Sequence, residues 1–121
     1  MLEISKIILA LSVSFIFQST TAFALDDGCY KAKSATGACP ASMMKATVAV
    51  DQGAPISLSF ISETFTFPKP VKPTKAAKLT KMTSTNEQFD VQISEPAKNQ
   101  LKIKLINGEC AQGEVIYSLA P

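Results

Sequence analysis

Three cysteines, Cys29, Cys39 and Cys110, are the side chains here best suited to chemistry. Thiols at such positions can hold a metal, cycle between redox states or cross-link the chain. The chain has no histidine, and three scattered cysteines cannot alone complete a four-ligand zinc site. A C-x-x-C pair is absent, which argues against a thioredoxin-like redox role. Cys39 with Met43 and Met44 would offer soft sulfur to Cu(I). A cross-linked Cys39 could not ligate, however, so no metal and no cofactor are expected. A covalent staple remains. Cys29–Cys39 would close a short loop around the turn-prone SATG of Ser34–Gly37, and this is the disulfide expected. Bonding either residue to Cys110 would restrain the unfolded chain more, by about 4.5 rather than about 3 kcal/mol. A larger entropic gain does not make a bond geometrically possible. Cys110 is then expected as an unpaired core thiol behaving as a small hydrophobe.

Other catalytic chemistry finds little material. Without histidine the commonest general base is missing, and so is the imidazole of Ser-His and Cys-His sites. The carboxylates at Asp26, Asp27, Asp51, Glu63, Glu87, Asp90, Glu95, Glu109 and Glu114 fall mostly in turns or on polar strand positions, where solvation accounts for them. Asp26-Asp27 begins no loop of EF-hand spacing, and no glycine-rich phosphate loop occurs. An enzyme would need a carboxylate-only site in a cleft; no catalytic residue is expected.

The segment Pro68–Met82, PKPVKPTKAAKLTKM, carries Lys69, Lys72, Lys75, Lys78 and Lys81, three residues apart throughout. Prolines favour polyproline II, with three residues per turn, which would align the first three lysines about 9 Å apart along one edge. Such a ridge suits an anionic surface or an acidic glycan. Equally, prolines and lysines guard sheet edges and decorate solvated loops. The whole chain has 12 basic and 10 acidic residues, a net charge of +2, and no arginine. That balance, and the lack of bidentate phosphate contacts, argues against nucleic acid.

These residues sit in a chain that begins as an export signal does. MLEISK is followed by IILALSVSFIF, Ile7–Phe17, with no charge, and then by small Ala22 and Ala24 in an A-x-A frame. Those are the parts of a secretory signal peptide. Residues 1–24 are expected to be removed, leaving 25–121 as one small domain, secreted or periplasmic, with no membrane span after cleavage. The apolar run is shorter than the roughly 20 residues of a membrane helix. Disulfides persist in such compartments, and a domain this small gains from one.

The body reads as strands. KATVAV places Ala46, Val48 and Val50 on one face, and ISLSF does the same for Ile56, Leu58 and Phe60. Parity then shifts, so that Ile61, Glu63, Phe65 and Phe67 share a face; either a bulge near Ile61–Ser62 or two separate strands would reconcile the halves. QFDVQIS alternates Phe89, Val91 and Ile93 with polar residues, and QLKIKLI alternates Leu101, Ile103 and Leu105 with Lys102 and Lys104. Asn107-Gly108 suggests a two-residue type I′ hairpin, and Gly113 a bulge. Leu25–Met44 shows no clear period. An all-β fold is expected: a small antiparallel β-sandwich, with barrel-like closure as the alternative. The function expected is non-catalytic, a binding or structural assembly module with an anionic surface or another protein chain as partner. The alternative is a secreted inhibitor or effector acting on a macromolecule.

Overall fold

A computed structural model describes residues 25–39, 41 and 44–121; the expected signal peptide, 1–24, lies outside the described residues. Among the described residues, eight antiparallel strands follow in chain order: β1 Gly28–Thr36, β2 Thr47–Asp51, β3 Ala54–Ser59, β4 Thr64–Thr66, β5 Lys78–Thr83, β6 Gln88–Ser94, β7 Gln100–Leu105 and β8 Glu114–Leu119. Each pairs with the next, and β8 returns to pair with β1 through partners such as Ala32 and Tyr117. The all-β expectation holds, and the sheet closes into a barrel rather than splitting into a sandwich. Local alternation is the same in both architectures; the deciding contact, β1 against β8, joins opposite ends of the domain.

Alternation explains which side chains fill the barrel. In β7, Leu101, Ile103 and Leu105 are buried while Lys102 and Lys104 face outward. Val48, Val50, Leu58, Val91, Ile93, Val115 and Tyr117 complete the interior. Apolar inside and charged outside is the inverse of a membrane-spanning barrel, whose outer band is apolar. No helix among the described residues is long and apolar enough to cross a membrane.

Bulges account for most departures from simple parity. Ala49 pairs with Ser57 and Val50 with Pro55, so Ile56 is the extra residue and turns outward, despite sharing parity with Leu58. Ile61 is not inward either: it is 96% exposed at the tip of the β3–β4 turn, where the Phe60 amide donates to the Glu63 carbonyl at 2.8 Å. The two-strand alternative for this region is therefore the one observed. Asn107-Gly108 does not make a two-residue hairpin. Ile103 pairs with Val115 and Lys104 with Glu114, leaving a long loop over 106–113. Asn107 instead clasps Asp90, accepting from its amide at 3.1 Å and donating to its carboxylate at 3.2 Å. The expected bulge at Gly113 is present: Gln112, at φ 71°, and Gly113 both bond to Leu105.

The disulfide also differs from expectation. Cys39 bonds Cys110, not Cys29, with Cα atoms 5.5 Å apart. Cys29 is exposed on the outer face of β1 as a free thiol. The nine-residue β1 is the reason: it takes in Ser34–Thr36 of the expected turn and ends only at Thr36, leaving Cys29 near its start and Cys39 three residues past its far end. Strand closure between β1 and β8 brings Cys39 to Cys110 instead. Cys110 does pack partly buried against the core, as expected, but bonded.

Candidate functional site

The loops β1–β2, β3–β4, β5–β6 and β7–β8 all lie at one end of the barrel, and this end is concave. Inward positions at the ends of β4, β5 and β7 supply its floor: Phe65, Met82 and Leu105, all buried. Half-buried Phe60 and Phe89 form walls, and Cys110 of the disulfide completes the lining of a cavity of about 400 Å³. Three rings form one cluster. Phe65 meets Phe89 at 5.4 Å between centroids, tilted by 49°, and meets Phe60 edge-on at 6.1 Å. Gly108 approaches Phe89 so closely that a Cβ would lie 2.4 Å from the ring. Glycine there, at φ 89°, lets the long loop fold down over the aromatic wall.

Carboxylates mark the rim. Glu63, Glu87 and Glu109 all line the cavity. Glu63 and Glu87 also border a polar groove of about 590 Å³ between the β3–β4 and β5–β6 turns, with Ser84 between them. Ser84 ties the two turns together: its hydroxyl donates to the Glu63 carboxylate at 2.5 Å and accepts the Glu87 backbone amide at 3.2 Å. Among the described residues no lysine lines either space. An eight-stranded barrel is wide enough to hold one small ligand, and an apolar concavity with a few polar groups at its edge is the usual form of a ligand site.

The opposite end is plugged. Leu25 is buried beneath it, and the β4–β5 link crosses it with Val71 packed against the core and Pro73 buried. Tyr30, fully buried, donates to the Asp26 carbonyl at 2.8 Å. Asp26 and Asn99 bond each other twice, amide to side chain and side chain to carboxylate, both at 2.9 Å. Desolvation, reinforced by Asp26, pushes the Tyr30 phenol up to about 12. Glu95 is 1% exposed and neither carboxylate oxygen has a hydrogen-bond partner in bonding geometry. Burial raises its pKa, and the Asn99 backbone and Lys98 pull it part of the way back.

The lysine series divides. Lys69, Lys72 and Lys75 are exposed along the irregular link while Val71 packs against the core and Pro73 is buried. Lys78 and Lys81 belong to β5 instead. Lys78 donates to the Lys72 carbonyl at 3.3 Å, and Lys81 pairs with Asp90 at 2.8 Å. Lys75 joins Lys102 and Lys104 around a shallow hollow on the outer sheet face, where Glu114 lies 3.8 and 3.9 Å from the two strand lysines.

Sequence reasoning missed the mouth. Phe60, Phe65 and Phe89 read as core and Glu63, Glu87 and Glu109 as solvated acids. Each reading is locally sound; only barrel closure brings the two sets together. Compared with family models, curated proteins and solved structures, the chain matches none.

Proposed function

We propose that this protein is an exported, non-catalytic binding module that holds a small apolar group in the open mouth of its barrel. The aromatic cavity carries the reading: one end of the barrel is plugged by its own chain and the other leaves three phenylalanines facing a space of about 400 Å³. Catalysis is disfavoured by the same geometry. A carboxylic acid serving as general acid needs an apolar, enclosed setting, whereas Glu87 and Glu109 stand exposed on the rim. Export is supported by the signal-like residues 1–24 and by the disulfide, which persists in oxidising compartments. Sequencing the N-terminus of the exported protein should give Leu25 first.

The binding test uses the neutral apolar fluorophore N-phenyl-1-naphthylamine. Its emission should rise on adding the oxidised protein and fall at least tenfold in affinity for Phe60→Ser and Phe89→Ser, with unchanged far-UV circular dichroism. No emission change with the parent protein would refute the reading.

A second reading has one observation in its favour: Lys69, Lys72 and Lys75 share the exposed edge of the β4–β5 link, and Lys75 extends towards Lys102 and Lys104. That surface suits an anionic glycan or lipid headgroup. Salt-dependent retention on heparin, abolished by Lys69→Ser, Lys72→Ser and Lys75→Ser together, would support it; unchanged retention would remove it.

A further inference from the structure

We infer that the ligand of the barrel mouth is an amphiphilic cation: an ammonium group attached to an apolar body. This rests on the binding reading above and adds the sign of the ligand's charge. The observation is a juxtaposition. The chain as a whole is positive, at +2, yet Glu63, Glu87 and Glu109 all line this apolar cavity and, among the described residues, no lysine does. Ser84 holds the Glu63 carboxylate by donating to it and, by accepting the Glu87 backbone amide, ties the turn that carries Glu87 beside it. Beside them lie the faces and edges of Phe60, Phe65 and Phe89. Aromatic faces attract cations through their quadrupole, and more strongly where water is partly excluded. A carboxylate rim over an aromatic wall therefore recognises both halves of such a molecule. Its alkyl or aryl body enters between Phe65, Met82 and Leu105, and its positive head stays at the rim. An anionic amphiphile of the same shape meets three like charges, which reject it. Ile61, exposed at the tip of the β3–β4 turn on the same rim, offers further apolar surface to a chain too long for the cavity.

The test compares three probes of one chain length: octyltrimethylammonium, 1-octanol and octanoate, each displacing N-phenyl-1-naphthylamine from the oxidised protein. Octyltrimethylammonium should displace it at a concentration at least tenfold below 1-octanol, with octanoate weakest. The preference should shrink as salt rises. In the combined variant Glu63→Gln, Glu87→Gln, Glu109→Gln the cation and the alcohol should become equivalent, with 1-octanol unchanged, since glutamine keeps the Ser84 contact and the cavity. Equal displacement by cation and alcohol in the parent protein overturns the charge inference and leaves an apolar binding site standing. Failure of all three probes and of the fluorophore overturns both. A preference that survives the triple substitution also overturns it, because the carboxylates would then not be its source.

Discussion

Tyr117 and Glu95 bury polar side-chain atoms that lack a hydrogen bond in bonding geometry, and each sets a measurable cost. Tyr117 is fully buried inside the barrel with its hydroxyl unbonded, and burial raises its phenol well above the ordinary range. An unsatisfied buried hydroxyl costs about 1–3 kcal/mol. Tyr117→Phe removes the orphan and keeps the ring, so thermal unfolding should move upward by several degrees; a fall of similar size would show that a water or a neighbour serves the hydroxyl. Glu95 is the second case. Its pKa is raised in the folded state, chiefly by desolvation. The folded protein therefore holds this proton more tightly than the unfolded chain. The corresponding stability is fully present below the ordinary glutamate pKa of 4.5 and is lost as pH rises through the raised folded value. Glu95→Gln should stabilise the protein at pH 7 and change little at pH 4. At roughly 4–8 °C per kcal/mol for a domain this size, the difference in melting temperature should be several degrees and should close on acidification. A gap independent of pH would contradict the assignment. Nothing in EPAKN announces a buried acid. The burial comes from the β4–β5 link crossing above, whose Thr74 carbonyl accepts the Glu95 amide at 2.7 Å.

At the level of strands and loops, the disulfide joins the β1–β2 link to the β7–β8 loop, 71 residues apart. The β7–β8 loop lines the mouth through Gly108, Glu109 and Cys110, so the bond anchors that side of it to the β1–β2 link as well as tying the seam between β1 and β8. Removing a native disulfide from a small exported domain typically costs about 2–5 kcal/mol. Cys39→Ala with Cys110→Ala should fall in that range by denaturant unfolding, while Cys29→Ser should leave stability within about 0.5 kcal/mol, as exposed substitutions do. Non-reducing peptide mapping should join the Cys39 and Cys110 peptides; a Cys29–Cys39 peptide would refute the pairing. Turn chemistry shows how much of this level was legible. Gln52 and Gly53 both take positive φ, 54° and 77°, and make the tight β2–β3 turn inside a stretch, DQGAP, that reads as one. Ile61-Ser62 and Thr85-Asn86 make equally short turns without positive φ, so no glycine marks them. Asn107-Gly108 carries the hairpin signal but lies in a loop held out by the disulfide and by Asp90. Strands with strong alternation, such as β6 and β7, read correctly. β1 did not, because its small and polar residues and its bulge between Ala32 and Ser34 erase the period.

For the molecule as a whole, closure is the property that local pattern cannot express, and closure makes the mouth. It is also uneven. Adjacent strands share four or more residue pairs around most of the ring, for example Lys78–Thr83 against Gln88–Ile93. Between β4 and β5 a single pair, Thr66 opposite Thr83, joins the two strands. That seam runs up to the polar groove bordered by Glu63 and Ser84, so the barrel is weakest beside its candidate site. Local opening follows the elements with the fewest paired amides. Hydrogen exchange should therefore be fastest among strands at Thr64–Thr66 and slowest in β7 and β8, whose amides are paired on both sides. A ligand seated on Phe65 and Met82 touches both sides of the weak seam and should slow exchange there more than in β2 or β8. Saturation with octyltrimethylammonium should protect the β4 and β5 amides selectively. Uniform protection around the ring would place the ligand elsewhere, and equal exchange of all eight strands without ligand would remove the weak seam from the argument.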